Sequence, residues 1–161
     1  MDDLKKRMPV GQEDFKAIIE NEYYFVDKSL LVREILNKHG FVNFITRPRR
    51  FGKTLNMSML KYFLENSDDK SAPLFEGLKI HAEKELCKKH KGKYPVISLT
   101  LMNAKRSTLE SALSSLRFAI TSEYLRHMEA VSTYPYFREQ IDRIVNNSEN
   151  HLEDYKDSLQ L

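Results

Sequence analysis

The chain has 161 residues, of which 41% are hydrophobic and 11% aromatic, enough for one compact domain with a buried core and too apolar for wholesale disorder. Its 26 basic and 23 acidic residues leave a net charge of +3, a surplus too small to mark a nucleic-acid binder, because that footprint depends on clustering. The single cysteine, Cys87, excludes an internal disulfide, no run approaches the ~20 apolar residues that cross a bilayer, and the start "MDDLKKRMPVGQEDF" lacks an apolar signal core; a soluble cytoplasmic protein is expected.

After Pro9 and Gly11, "EDFKAIIENEYYFVDKS" sets Phe15, Ile18 and Ile19 on one helical face, then turns aromatic and strand-prone through Tyr23, Tyr24, Phe25 and Val26. A short helix followed by an extended piece is expected. "KSLLVREILNKHG" repeats Leu31, Ile35 and their apolar neighbours, with Lys38 and His39 in the last turn and Gly40 as a stop, the pattern of a helix. "FVNFIT", Phe41 to Thr46, reads as a buried strand, and Leu55, Met59, Leu60, Phe63 and Leu64 then recur at helical spacing up to Asn66. "NSDDKSAP" is a surface loop, "AEKELCKKHKGK" a short charged helix ended by Gly92, and "YPVISLTL" a second strand that tolerates Pro95 at its start. The longest helix runs from about Thr108 to Met128, opened by a capping box of Ser107 with Glu110, with Leu109, Leu113, Leu116, Ile120 and Tyr124 on one face. "YPYFREQIDRIVNN" and "NHLEDYKDSLQL" continue as helices, and the chain stops inside the last pattern without a helix-ending signal.

The stretch "FITRPRRFGKTLNMSML" puts a basic loop between a strand and a helix, the order in which backbone N–H groups and the positive helix end converge on an anion. In the pattern G-x-x-x-x-G-K-[ST], Gly52, Lys53 and Thr54 match the last three positions while Arg47 stands at the first. Backbone amides from about Arg49 through Phe51 to Thr54 are expected to cradle the α- and β-phosphates, Lys53 to reach the β- and γ-phosphates, and the Thr54 hydroxyl to ligate Mg²⁺. The missing first glycine normally eases the tight turn out of the strand; here Pro48 fixes its own φ and holds Arg47 extended, so the chain leaves by a different turn. Arg47, Arg49 and Arg50 offer further contacts to a triphosphate. Gly-Lys-Ser/Thr alone arises by chance in roughly one chain in ten of this length, so the reading rests on its context between an apolar strand and an amphipathic helix.

"FVDKSLLVREIL", "FITRPRRFGKTLNMSML", "LFEGLKI" and "GKYPVISLTL", in that order, resemble the N-terminal part of the AAA-ATPase-like family of bacterial and archaeal proteins, which often carry a PD-(D/E)xK-type nuclease domain towards the C-terminus. The resemblance covers nearly the whole chain. In that family the loop also reads R-P-R-R-F-G-K-[ST], which makes Arg47 a family feature, and the resemblance implies ATP binding through this variant Walker A segment at Gly52, Lys53 and Thr54.

Hydrolysis also needs an apolar strand ending in Asp, usually Asp-Glu, to help hold Mg²⁺ and polarise the attacking water. Asp68-Asp69 and Glu153-Asp154 lack the preceding strand, and "YPVISLTLMN" ends in Met102 and Asn103. The family carries its acidic strand just downstream of the region matching Leu161, so a truncated N-terminal portion is expected, binding ATP weakly or not at all and not turning it over.

Other signals favour plain roles. The run "KKHKGK" suits a helix end better than nucleic-acid phosphate. His81, Cys87 and His90 lack a fourth zinc ligand. Tyr23, Tyr24 and Phe25 read as core more than as a base-stacking platform. Asp27 with Lys28 matches the family signature, and a helix cap at Asp27 is favoured over a nucleotide contact. The expected fold is α/β: a partial three-layer P-loop architecture, helix-rich, with few parallel strands. The expected function is ATP binding through residues 47–54, with ATP and Mg²⁺ as ligands. The alternatives are a module gripping nucleic-acid phosphate without nucleotide and an inactive ATPase remnant.

Overall fold

A computed structural model describes residues 6–38, 40–66, 72–102, 105 and 108–129. Its α-helices are α1 (Phe15–Glu20), α2 (Leu30–Lys38), α3 (Lys53–Leu64), α4 (Lys84–His90) and α5 (Leu109–Arg126), with 3₁₀ turns at Ala72–Phe75 and Lys79–Ala82. The chain divides into two compact units, Met1–Val96 and Ile97–Leu161.

In the first unit, α1 forms where the apolar spacing predicts it and Asp14 caps it, Oδ1 accepting from the N–H of Ala17 at 2.9 Å. The other carboxylate oxygen accepts from the hydroxyls of Ser58 at 3.1 Å and Tyr62 at 3.2 Å, while Ser58 Oγ accepts from the N–H of Phe15 at 3.0 Å. Ser58 and Tyr62 lie one turn apart on α3, so a single side chain ties the start of α1 to that helix.

Beneath this tie lies one apolar cluster: Phe15, Val32, Met59, Phe63, Leu74, Phe75 and Ile80. Phe75 is its hub, with ring centroids 5.1 Å from Phe15 and 5.3 Å from Phe63. Phe25 stands edge-on to Phe15 at 5.5 Å, which bears out its core role, whereas Tyr24 and Val26 are exposed. The Lys91 ammonium lies 5.1 Å from the centre of the Phe75 ring.

Asp27 does more than start a helix. One oxygen accepts from the N–H of Ser29 at 2.8 Å and the other from the N–H of Lys79 at 2.8 Å. The buried Ser29 hydroxyl accepts from the N–H of Ile80 at 3.0 Å. "FVDKS" and "LFEGLKI" are thereby one structural unit: two polar side chains before α2 satisfy consecutive N–H groups of a 3₁₀ turn, which has too few internal bonds to satisfy its own. Arg33 pairs with Glu83 at 2.8 Å along the same seam.

The expected strands are not formed. Among the described residues there is no β-strand, and Phe41, Val42 and Phe44 are exposed along an unpaired segment. A strand must pair its N–H and C=O groups with a neighbour, and the described residues bring none alongside. "YPVISLTL" keeps one isolated parallel bridge, Tyr94 with Glu65, in which Tyr94 N–H donates to Leu64 and Asn66 N–H to Tyr94. Gly40, two positions past the last described residue of α2, does not adopt positive φ, whereas Gly92 does adopt it after α4.

In the second unit Thr108 caps α5, its hydroxyl accepting from the N–H of Ser111 at 3.2 Å. Ile120 is buried, but Leu109 from the same expected face is exposed, as is Phe118. Glu123 accepts from the N–H of Ser98 at 3.0 Å and pairs with Arg126. Ser107, Asn103 and the helices expected beyond residue 129 lie outside the described residues.

Candidate functional site

The buried face of α3 fixes where its first turn emerges, and the basic loop sits at that end. Arg49 and Arg50 form a turn in which Arg50 takes φ 66°, a left-handed conformation that favours glycine. Gly52 follows at φ 73° as the residue capping α3. It contributes no side-chain cap, so the first N–H groups of α3 are not closed off by a capping side chain. A β-carbon at Gly52 would meet nothing within 4 Å, so backbone conformation rather than packing selects glycine here.

Lys53 turns back over this loop. Its ammonium donates to the carbonyl of Arg47 and, at 3.3 Å, to that of Pro48. This closes residues 47–53 into a ring and shows how the chain leaves residue 46 without a glycine at position 47: the lysine bridges the turn that Pro48 stiffens. Thr54 is exposed in the first turn of α3, and Phe51 is exposed beside Gly52. The structure thus gathers Arg47, Arg49, Arg50, Phe51, Gly52, Lys53 and Thr54 at one helix end.

The electrostatics are one-sided. From Gly40 to Leu64 the sequence holds Arg47, Arg49, Arg50, Lys53 and Lys61 and neither Asp nor Glu. The three guanidinium groups are exposed, and none is paired with a carboxylate among the described residues. An anion would meet free guanidinium donors, an ammonium and the positive end of α3 together. For a divalent ion, the Thr54 hydroxyl is the one loop side chain of suitable chemistry, so the ion would hold chiefly to phosphate and water. Glu65 is buried at the far end of α3, about 18 Å along the axis by helical rise.

The remaining sequence candidates have local partners. The N–H groups of Gly92 and Lys93 donate to the last carbonyls of α3, and that of Lys91 to Cys87 in α4, so the 88–93 run lies where two helices end and cations are favoured. The Cys87 thiol donates to the Ile80 carbonyl at 3.3 Å; burial pushes its pKa up against the pull of Lys91. The His90 ring stacks on Tyr94 with centroids 5.8 Å apart. Among the described residues, no group of three or more His, Cys, Asp or Glu side chains is arranged to hold a metal ion. Asp68-Asp69 and Glu153-Asp154 lie outside the described residues.

Sequence reading missed Asp14, Ser58 and Tyr62, which hold α3 and with it the loop. The available signal was an Asp immediately before a helix, together with polar residues at i and i+4 on an otherwise apolar helix.

A family profile described as "Predicted AAA-ATPase" matches residues 9–158. A stretch of 87 residues is 33% identical to a protein of Azotobacter chroococcum mcd 1 titled "Uncharacterized protein in vnfD 5'region", covering 53% of this chain and 16% of that protein. The matched stretch is therefore a small part of that relative's length. No solved structure matches the chain.

Proposed function

The chain belongs to the AAA-ATPase-like family, and on that premise we propose that residues 47–54 are a Walker A loop that binds the phosphates of ATP. The observation that carries the reading is the pairing of Gly52, left-handed at an uncapped helix start, with Lys53 folded over the same loop. N–H groups from Arg49 to Thr54 receive the α- and β-phosphates, and Lys53 exchanges its carbonyl partners for the β- and γ-phosphates. The Thr54 hydroxyl would hold a magnesium ion that accompanies the nucleotide, and the ion would supply charge stabilisation to the phosphates.

The proposed fold around this loop is α/β, with residues 41–46 and 94–101 becoming parallel strands once neighbours pair with them. The second segment keeps one parallel bridge at its start, from Tyr94 to Glu65 just past α3. We assign the carboxylates for hydrolysis to residues outside those described, so the described part binds nucleotide and does not turn it over.

The test is thermal unfolding of the full chain with ATP and Mg²⁺. ATP raises the midpoint, and Lys53→Ala abolishes the rise. The unpaired arginines favour a second reading, a grip on nucleic-acid phosphate without nucleotide. It predicts salt-sensitive oligonucleotide binding indifferent to Lys53→Ala. An inactive remnant shows neither response.

A further inference from the structure

If residues 47–54 are the nucleotide site, the charge distribution around them says which form of the nucleotide they take. We propose that the loop binds a nucleoside triphosphate without requiring a metal ion, the guanidinium groups of Arg47, Arg49 and Arg50 supplying the charge neutralisation that magnesium supplies where a site carries acidic ligands.

The cationic side is unusually undiluted. Arg47, Arg49, Arg50 and Lys53 fall within seven positions, inside a stretch from Gly40 to Leu64 that contains no acidic residue. In the folded chain the three guanidinium groups remain exposed and have no carboxylate among the described residues, so their charge is not consumed internally. Four cations at one helix end repel a divalent ion and attract a polyanion. A terminal phosphate carries about two negative charges at neutral pH and each inner phosphate roughly one, so a triphosphate balances the four side chains. A diphosphate or monophosphate leaves cations uncompensated. Guanidinium forks suit this task because they pair two donors with two phosphate oxygens, which a lysine ammonium does not.

Among the described residues the metal side is correspondingly poor. Magnesium prefers six oxygen ligands in near-ideal geometry, usually with one or two carboxylates among them. The loop offers the Thr54 hydroxyl. Asp14, which lies against the middle of α3, has its carboxylate engaged by Ala17, Ser58 and Tyr62. Binding affinity therefore resides in the arginines, and a metal ion that accompanies the nucleotide adds little to it.

The experiment compares thermal shifts and calorimetric affinities of the full chain for ATP, ADP, AMP and inorganic tripolyphosphate, each in EDTA and in excess Mg²⁺. The expected result is ATP binding in EDTA at least as tight as in Mg²⁺, with tripolyphosphate close to ATP and affinity falling from ATP to ADP to AMP. Combining Arg47→Gln, Arg49→Gln and Arg50→Gln should weaken binding in EDTA by roughly tenfold to a hundredfold, while the circular dichroism spectrum is retained because these side chains are exposed. ATP binding that appears only with Mg²⁺ would overturn the inference and leave the nucleotide site standing. Absence of binding in both conditions overturns both. A thymidine oligonucleotide that displaces ATP as well as tripolyphosphate does at equal phosphate concentration also overturns it, since the loop would then be a general polyanion surface.

Discussion

The carboxylate of Asp27 accepts a hydrogen bond from the backbone N–H of Lys79, 2.8 Å away and 52 positions along the chain. With Ser29 gripping Ile80 next to it, this contact joins two sequence segments that carry no joint signal when read separately. Burial disfavours the charged carboxylate, but hydrogen bonds from the Ser29 hydroxyl and the N–H groups of Lys79 and Ser29, with the Lys79 charge, hold the pKa of Asp27 below its ordinary 3.8. The folded value therefore lies under the unfolded one. The stabilisation is complete above the unfolded value and is lost as pH falls through the folded one. Asp27→Asn should cost about 1–2 kcal/mol at neutral pH. Urea unfolding of both proteins should show that gap closing as pH is taken below the carboxylate range.

The loop yields a pair of opposite predictions. Gly52 at φ 73° faces open space, so Gly52→Ala introduces backbone strain without a clash and should lower stability by about 1–2 kcal/mol. If the loop cradles phosphate with its backbone N–H groups, a shift of the strained backbone at position 52 should also shrink the ATP-induced thermal shift. Arg50 at φ 66° already bears such strain. Arg50→Gly relieves it, and the added freedom of the unfolded chain offsets about 0.5–1 kcal/mol of that relief. Its midpoint should be equal to or above that of the parent protein, and a fall matching that of Gly52→Ala would contradict the left-handed assignment.

How much of this was legible beforehand differs by element, for physical reasons. α1, α2 and α3 follow from apolar spacing because each buries a face that its own sequence defines, whereas α4 is legible as a short charged run closed by Gly92. Residues 41–46 have the composition of a strand, yet a strand is a relation between segments, and no partner lies beside them among the described residues. Ser107 and Thr108 are both competent caps, and the choice between them turns on a backbone angle that composition does not encode. The 3₁₀ turns carry no periodic signature, and while Asp14 as a cap and Ser58 with Tyr62 on one helix face are local signals, that Asp14 meets them, like the meeting of Asp27 with Lys79, joins residues too distant for a local pattern to reveal. At the site, Gly52, Lys53 and Thr54 were legible as a motif. The return of Lys53 onto Arg47 and Pro48 was not, since it depends on the conformation of the intervening turn.

Asp14 should behave as a coupled tether. Asp14→Ala removes the cap of α1 and the acceptor used by Ser58 and Tyr62, a loss of about 1–2 kcal/mol. Tyr62→Phe removes one of those donors and should cost less. In the double variant the Tyr62 contribution to this contact is already gone, so the two losses should fall short of additivity by about 0.5–1 kcal/mol in denaturant unfolding. Strict additivity would mean that the tether contributes nothing as a pair.

Phe75 separates the core of the first unit from apolar residues that merely sit on the surface. It is fully buried between Phe15 and Phe63 beneath the Lys91 ammonium, so Phe75→Ala opens a cavity that three neighbours cannot all collapse into. The expected cost is about 3–5 kcal/mol. Phe118 on α5 is 75% exposed, and Phe118→Ala should stay within about 0.5 kcal/mol of the parent. Since a domain of this kind is stable by only about 5–15 kcal/mol, the first substitution removes a large share of the margin. Guanidinium titrations of the two variants should therefore differ in midpoint by far more than their shared chemistry suggests. Equal midpoints would place Phe75 outside the core.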